Sequence, residues 1–234
     1  MERRKNIVLI GGSKGIGLAT VKMLSNDHDL FVLSRTNTNF EDLNISFRKF
    51  DVITDSMDEQ VFPEIIDGLV YFPGSINLRP FHMLRPDIFE ADMQLNFFPL
   101  IKIIQHLLPK LKRSEGASLI FFSSVAVKVG MPFHTSVSAA KGAIEGFSKA
   151  LAAELAPGIR VNVIAPSLTN TSLAGKLLSS EEKIIKMGER HPMKRVGEAE
   201  DIANMVVFLL SEKSSWMTGQ VLGVDGGLSG LNIN

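Results

Sequence analysis

The chain is predicted to be an α/β protein in which helices cover both faces of a doubly wound parallel sheet, giving three α/β/α layers. Two observations predict this class: short runs that are apolar on both faces alternate with segments of helical period, and no linker or shift in composition divides them. With 234 residues, the chain is long enough for one substantial core. We therefore expect a single domain over residues 1–234.

The predicted elements follow one another from the N-terminus to the C-terminus. Strands are expected at the apolar runs 7–10, 30–33, 68–72, 118–122, 160–164 and 220–224. Helices are expected at the periodic segments 17–25, 87–111, 137–156 and 199–210, with Pro86 and Pro157 at two of their edges. Residues 51–71 leave room for a short helix, and the polar segment around 168–195 is predicted to be a mobile substrate lid.

The composition excludes several classes of partner and site. The 25 basic residues equal the 25 acidic ones, so we expect neither nucleic acid nor anionic lipid as a partner. No apolar run approaches the roughly 18 residues of a membrane span, and no signal-peptide core follows the N-terminus. The absence of cysteine excludes disulfides and thiolate metal sites, and the five histidines lack metal-ligand spacing. We predict a cytoplasmic protein without a metal site.

A glycine-rich turn joins the first predicted strand to the first helix. Gly11, Gly15 and Gly17 have a GxxxGxG spacing, which is a weak signal by itself but a specific one between a strand and a helix. Glycine allows a tight turn and a close approach of the backbone to a pyrophosphate, while the helix N-terminus presents free N–H groups to that anion. The pattern predicts a Rossmann-type dinucleotide site.

The run 11–17 resembles the phosphate loop of the classical short-chain dehydrogenases/reductases. Further landmarks of that family follow in order over nearly the whole chain, and the pattern is closest to 3-oxoacyl-acyl-carrier-protein reductases. They include a C-terminal signature that extends from 195–198 to 225–227. The resemblance implies that the following residues contact the cofactor: Gly11, Ser13, Lys14, Gly15, Ile16, Gly17, Ser34, Arg35, Asp51, Val52, Gly74, Lys141, Pro166 and Thr171.

The end of the second predicted strand indicates which dinucleotide binds. An acidic residue there would bond the ribose hydroxyls of NAD and repel a 2′-phosphate, but this chain has Ser34 followed by Arg35. Together with Lys14, Arg35 brings positive charge to the expected position of that phosphate. We predict that NADP(H) is preferred over NAD(H). The alternative is that both cations are ordinary solvated side chains.

The family's catalytic residues are matched with one exception. The resemblance implies that Ser124 polarises the substrate carbonyl and that Lys141 lowers the pKa of a tyrosine. It also implies that Asn96 completes a water-linked relay for the proton. The tyrosine should lie one helical turn before Lys141, where the chain has Val137. The one tyrosine of the chain, Tyr71, is expected to be a packing residue beside the adenosine half of the cofactor.

Valine cannot transfer a proton, and loss of a positioned general acid typically costs ~10²- to 10⁴-fold in rate. Substitutes are His134, which lies in the loop before the helix as do Thr135 and Ser136, or a water held by Lys141 and Ser124. The alternative for His134 is an ordinary surface residue.

Three functions remain open from the sequence. The first is a slow or atypical NADP(H)-dependent oxidoreductase of a carbonyl or alcohol, with a small-molecule or acyl-thioester substrate. The second is a non-catalytic cofactor-binding sensor or partner subunit, and the third is another reaction class on the same scaffold. A homodimer or homotetramer through the helices around 87–111 and 137–156 is expected, because the former carries a broad apolar face.

Overall fold

The computed structural model describes residues 3–57 and 62–232. Its strands are β1 (Asn6–Ile10), β2 (Asp29–Ser34), β3 (Ser46–Lys49), β4 (Gly68–Tyr71), β5 (Ala117–Phe122), β6 (Ile159–Pro166), β7 (Thr169–Asn170), β8 (Gly197–Glu198) and β9 (Val221–Val224). Seven of them form a parallel sheet in the order β3-β2-β1-β4-β5-β6-β9, while β7 pairs with β8. The predicted doubly wound parallel sheet is confirmed.

Helices pack on both faces of this sheet. They are α1 (Gly15–Leu24), α2 (Pro86–Asn96), α3 (Phe98–Leu111), α4 (Val125–Val129), α5 (Thr135–Leu155), α6 (Glu181–Glu189) and α7 (Ala199–Leu210). One buried cluster joins the sheet to α3 and α5, and a second joins its other face to α1 and α7. Because both faces are covered, the central strands are buried along their length and mostly apolar rather than alternating, with Ser118 in β5 and Arg160 and Asn162 in β6 as buried polar exceptions.

The single helix predicted over 87–111 is wrong. The helix ends at Asn96, and a second one begins at Phe98, because Phe97 has φ −120° and ψ −57°. Pro99 explains the break: a proline has no N–H for an internal helical bond but is tolerated in a first turn, where it lies in α3.

Two further differences concern short elements. The edge strand β3, with the sequence SFRK, was not predicted, because it is short and partly polar. A short helix was expected within 51–71. Residues 51–57 and 62–67 contain no helix, and residues 58–61 lie outside the described residues.

The chain builds the sheet in two directions from β1. It first adds β2 and β3 on one side, and it then crosses over to add β4 on the other side of β1, with all of these strands parallel. Ligands of open α/β sheets bind at such a switch point, beyond the carboxyl ends of the strands. The fold therefore directs the end of β1, and the loops that follow β4, β5 and β6, into one cleft.

The segment predicted as a lid, 168–195, contains the short strand β7 and the helix α6. It has a small apolar cluster of its own, which includes Ala174 and Leu178, together with Val196 just beyond it. Lid motion remains a prediction. No helix in the described part of the chain has the length and hydropathy to cross a membrane.

Candidate active site

A cleft of about 1170 Å³ lies at the carboxyl edge of the sheet. Ordinary small-molecule pockets are ~300–1,000 Å³, so this volume is suited to a large ligand together with a smaller one. Of the sequence-predicted site residues, the cleft is lined by Gly11, Ser13, Lys14, Gly15, Ile16, Gly17, Ser34, Arg35, Asp51, Val52, Gly74, Ser124, His134, Val137, Lys141, Pro166 and Thr171. Asn96 does not line it and is buried behind it.

The glycine turn between β1 and α1 forms one end of the cleft. Gly11 and Gly15 have φ values of +91° and +51°, in the region that favours glycine. A Cβ atom on Gly17 would lie 2.4 Å from the carbonyl oxygen of Gly11, so the turn closes without room for a side chain. Lys14, at the N-cap of α1, makes no capping bond to any described residue, and no acidic residue lies in the first turn.

These features fit the pyrophosphate of a dinucleotide. The first N–H groups of a helix without a side-chain cap need an acceptor, and the positive end of the helix dipole favours an anion there. A Cβ atom on Gly15 would lie 3.1 Å from Thr171, so the turn and the segment after β6 lie on opposite sides of the same narrow space.

Two positively charged side chains, Arg35 after β2 and Lys14 before α1, line the cleft. The Ser34 hydroxyl donates to the carbonyl of Thr36 over 2.7 Å. Arg35 and Lys14 are exposed, and neither forms an ion pair with a residue in the described part of the chain. On the neighbouring side, Asp51 accepts a hydrogen bond from the N–H of Ile53. Two cations without carboxylate partners are thus available to an anionic ligand.

Ser124 lies two residues after the end of β5 and is the N-cap residue of α4. Its Oγ accepts the N–H of Ala126 at 3.2 Å, which caps the helix. Since this bond uses an oxygen lone pair, the hydroxyl proton stays free to donate to a carbonyl oxygen in the cleft.

Val137 and Lys141 lie one turn apart on α5, and both line the cleft. Only 6% of Val137 is exposed, so its apolar side chain forms part of the wall. Burial lowers the pKa of Lys141 to about 8, although the charge of Asp92 opposes this effect. The cleft therefore contains a hydroxyl donor and a lysine that can gain or lose a proton near neutral pH, without a phenol between them.

Tyr71 is not a substitute for the missing phenol. It is 1% exposed, it does not line the cleft, and its hydroxyl donates to the carbonyl of Leu95 over 2.7 Å. Burial, together with the charge of Asp51, raises its pKa, which makes proton release harder. The phenol is a packing group, and its proton is already committed to the backbone.

His134 lies on the cleft wall at the N-cap of α5. Its Nδ1 is 2.7 Å from the carbonyl of Pro132 and must therefore donate to it, which leaves Nε2 without a proton in the neutral ring. A neutral His134 in this tautomer can accept a proton at Nε2 but cannot donate one there.

Sequence reasoning missed Asp92 and Ser75, which extend the site behind the cleft. Asp92 lies one turn before Asn96 on α2, and its Oδ1 accepts the Ser75 hydroxyl at 2.6 Å. Asn96 donates from Nδ2 to Ser75 Oγ at 2.9 Å. The spacing of Asp92 and Asn96 was visible in the sequence, but an acidic residue in a helix usually indicates a solvated face.

A further part of the cleft wall is apolar. It comes from the loop after β4, the loop before α5 and the segment around α6, and it includes Leu78, Met131, Phe133, Leu173, Leu177 and Met187. Nearby, His191 is 4% exposed, and its Nε2 atom forms a hydrogen bond of 2.7 Å with Ser167 Oγ. Within residues 3–57 and 62–232, no group of acidic or histidine side chains is arranged to hold a metal ion.

Comparisons with known proteins agree with this geometry. A family model described as enoyl-(acyl carrier protein) reductase matches residues 12–229. The chain is 34% identical to a tropinone reductase homolog of Arabidopsis thaliana, over 96% of this chain and 92% of that protein. It is 29% identical to the 3-oxoacyl-acyl-carrier-protein reductase FabG of Buchnera aphidicola, over 96% and 97% of the two chains. The structure of ElxO with NADP bound superposes with a TM-score of 0.84 at 26% identity, covering 97% of this chain and 99% of that one.

Proposed function

The chain belongs to the short-chain dehydrogenases/reductases, within the family described as enoyl-(acyl carrier protein) reductase, and we propose that it is an NADP(H)-dependent enzyme that interconverts a carbonyl and an alcohol without a tyrosine proton donor. The family acts on small molecules by oxidation or reduction. The observation that carries the proposal is that the glycine turn, Ser124 and Lys141 line a single cleft.

The residues of the chain perform three tasks in this reaction. The glycine turn and the N-terminus of α1 bind the pyrophosphate, and the Ser124 hydroxyl donates to the substrate oxygen as negative charge develops on it. Lys141, at the same wall, holds a proton at Nζ. When bound, the reduced nicotinamide supplies the hydride. Val137 contributes no proton, so turnover is expected to be slow.

The preference for NADP(H) rests on Lys14 and Arg35. Both are exposed at the cleft end of β2 and α1, and a guanidinium grips a phosphate with two parallel bonds. ElxO, a structural neighbour, has been solved with NADP bound, which supports the same assignment.

We expect Arg35→Gln to weaken NADP⁺ binding by at least ~10-fold and to leave NAD⁺ binding nearly unchanged, because only NADP⁺ carries the 2′-phosphate. Calorimetric titration with both dinucleotides measures the effect. Lys22→Gln is the matched control, since Lys22 is an exposed cation in the last turn of α1 and does not line the cleft. Equal losses for both dinucleotides would show that Arg35 does not read the phosphate.

Ser124→Ala is expected to lower kcat by ~10²- to 10³-fold on a carbonyl substrate, because it removes the hydroxyl donor to the developing oxyanion. It also removes a helix cap, which costs ~1 kcal/mol. Ser180→Ala separates the two effects, because Ser180 caps α6 in the same way and does not line the cleft. A panel of ketones and acyl thioesters with NADPH provides the assay. Turnover in Ser124→Ala that equals the wild-type value would contradict the catalytic role.

The alternative is a cofactor-binding sensor or partner subunit without catalysis, and the observation that favours it is Val137. It predicts NADPH binding by the wild-type chain without turnover on any member of the panel. Two further parts of the proposal concern the surroundings of the site. The segment 168–195 closes over an apolar substrate, and the chain assembles as a homodimer or homotetramer through the helices around 87–111 and 137–156, which are α2, α3 and α5. Phe98, which is 40% exposed, is the apolar side chain of α3 that such an interface would cover.

A further inference from the structure

A buried histidine lies in the cleft wall just after α6. His191 follows the end of α6 by two residues, and its side chain lines the cleft. Its Nδ1 atom is 3.0 Å from the carbonyl of Met187, and its Nε2 atom is 2.7 Å from Ser167 Oγ. A Cβ atom on Gly226 would lie 3.7 Å from Cδ2 of the ring. The ring is therefore held in one orientation by α6, by the segment after β6 and by the turn after β9.

The two hydrogen bonds fix the position of the ring proton. A backbone carbonyl can only accept, so Nδ1 of His191 donates to Met187, and Nε2 of the neutral ring carries no proton. The Ser167 hydroxyl must therefore donate its proton to Nε2. The remaining lone pairs of Ser167 Oγ can accept from a donor in the cleft. Arranged in this way, the pair is prepared to take up a proton from the cleft.

The strand register places Ser167 next to Ser124. In the pairing of β5 with β6, Phe122 lies opposite Ile164. Two positions further along each segment, Ser124 is opposite Pro166, which directly precedes Ser167. Neighbouring strands are ~4.8 Å apart, so the two serine residues are neighbours across the strand ends. Both line the cleft, so a substrate oxygen beside Ser124 lies in the same region as Ser167.

A second, smaller cavity meets the cleft at this pair. Its volume is about 180 Å³, and Ser167 and His191 line both spaces. The walls of the smaller cavity also carry charged side chains, which are those of Arg195, Asp201 and Asp225. A polar cavity of this size has room for water, and a water next to the imidazole can exchange a proton with it. The pair thus connects the substrate space with a polar cavity.

We propose that Ser167 and His191 form a proton relay that accepts the hydroxyl proton of an alcohol, so that the chain oxidises alcohols without a phenol. This inference rests on the proposed interconversion of a carbonyl and an alcohol, and it adds the direction that the site favours. Ser167 is the catalytic residue, because its oxygen meets the substrate hydroxyl. His191 acts through Ser167 and supplies the basicity that a serine hydroxyl lacks at neutral pH.

The step balances in atoms and charge. The O–H bond of the alcohol breaks and a new O–H bond forms at Ser167 Oγ, while the original Ser167 proton moves to His191 Nε2. The C–H bond on the same carbon breaks, and its hydride passes to NADP⁺, which is the oxidant. The products are a carbonyl compound, NADPH and an imidazolium. The imidazolium then loses its proton to water in the smaller cavity, and Ser167 again carries one proton.

One other histidine of the described residues, His134, lines the cleft. Its Nδ1 also faces a carbonyl, that of Pro132, so its Nε2 is unprotonated in the neutral ring as well. It differs from His191 in two respects: it is more exposed, and no serine hydroxyl of the described residues donates to it. These differences favour His191 as the acceptor, and the activity test below separates the two.

Charged groups from three segments share the cavity walls with His191. They are Arg190 beside α6, Arg195 and Asp201 around β8 and α7, and Asp225 after β9. Arg195 pairs with Asp201, and Asp225 accepts two backbone N–H groups of the turn that follows it. Neither carboxylate is bonded to the imidazole, so the proton accepted by His191 is not already held by an acid.

The first test determines the tautomer of His191 in the protein without cofactor or substrate. Histidine is labelled with ¹⁵N, and the His191 signals are assigned by their loss in His191→Gln. We expect a neutral ring that is protonated at Nδ1 and unprotonated at Nε2, and the same spectra give the pH range in which the ring titrates. The opposite tautomer overturns the relay, because Nε2 could not then accept the Ser167 proton.

The second test measures kcat for a panel of secondary alcohols with NADP⁺ as a function of pH. In the wild type, kcat should rise with pH over the range in which His191 loses its proton. His191→Gln should lower kcat by ~10²-fold or more and remove this rise, while the Kd of NADP⁺ stays unchanged. Glutamine can keep a hydrogen bond to Ser167 but cannot take up the proton, so a purely structural role predicts a wild-type pH profile.

Variants of the serine and matched controls complete the design. Ser167→Ala should remove the same pH dependence, and Ser167→Thr, which keeps a hydroxyl, should retain it. The controls are His82→Gln and Ser179→Ala, because both residues are exposed and neither lines the cleft. If His191→Gln does not fold, Ser167→Ala provides the activity test, and the tautomer is read from the wild-type protein with the His191 signals assigned through its backbone.

The outcomes separate the relay from the proposed function. Alcohol oxidation with a wild-type pH profile in His191→Gln and Ser167→Ala overturns the relay alone. Loss of the pH dependence in His134→Gln, with none in His191→Gln, assigns the acceptor to His134 and also overturns it. If carbonyls are reduced but no alcohol is oxidised, the relay is wrong and the proposed function stands. If NADP⁺ binds and neither direction proceeds, both are wrong.

Discussion

Gly17→Ala is expected to reduce NADP⁺ affinity by at least ~100-fold, the largest single loss that the fold predicts. The added Cβ would lie 2.4 Å from the carbonyl oxygen of Gly11 and 3.0 Å from the Cα of Gly12. Both neighbours are backbone atoms, so no change of rotamer relieves the contact, and the turn itself must open. The N–H groups of α1 would then no longer converge on the pyrophosphate.

Gly146→Ala is the matched control for this change. Gly146 also lies within a helix, α5, and a Cβ atom there would have nothing within 4 Å in the described structure. This substitution should leave NADP⁺ binding unchanged and should stabilise the fold by ~0.5–1 kcal/mol, as alanine does relative to glycine in a helix. Calorimetric titration and thermal unfolding measure the two effects. Wild-type affinity in Gly17→Ala would mean that the dinucleotide does not bind at this turn.

Val137→Tyr is expected to raise kcat for carbonyl reduction by ~10²-fold or more, because it restores a general acid next to Ser124 and Lys141. Val137 is buried in the cleft wall one turn before Lys141, so a phenol there lies beside a lysine that lowers its pKa. The gain is measured with NADPH and the carbonyl panel. It should be smaller than the full effect of a general acid if Lys141 already donates a proton in the wild type.

The control for this gain is Val129→Tyr. Val129 ends α4, is 45% exposed and does not line the cleft, so the same change of residue there should not alter kcat. Activity in Val137→Tyr but none in the wild type would favour the sensor or partner-subunit alternative. Unchanged activity in Val137→Tyr would contradict the view that a missing phenol limits the reaction.

The parts of the site that depend on local sequence could be predicted. The glycines at 11–17 could be interpreted because the turn itself has no room for side chains, whatever residues surround it. Ser124 and Lys141 could be assigned from the resemblance to the short-chain dehydrogenases/reductases, and their positions could be read because one follows a clear strand pattern and the other lies in a clear helical pattern. The parallel sheet with helices on both faces could be predicted from the alternation of strands with helices, since connections between parallel strands cross over through helices and have one hand.

Other parts depend on contacts between distant segments, and the sequence does not report them. Asp92 looks like a solvated residue of an amphipathic helix until the fold brings Ser75 and Asn77 into hydrogen-bonding contact with it. The apolar run over 87–111 conceals the break at Phe97, because periodicity continues across Pro99. The strand β3 has too few apolar residues to be seen alone.

The central claim is that the glycine turn binds a nicotinamide dinucleotide beside a pocket that lacks a phenol. Calorimetric titration of the purified wild-type chain with NADP⁺ and NAD⁺, at one fixed salt concentration, tests it most directly. We expect saturable binding of NADP⁺ with a lower Kd than that of NAD⁺. Binding of neither dinucleotide would contradict the assignment of the glycine turn as a dinucleotide site.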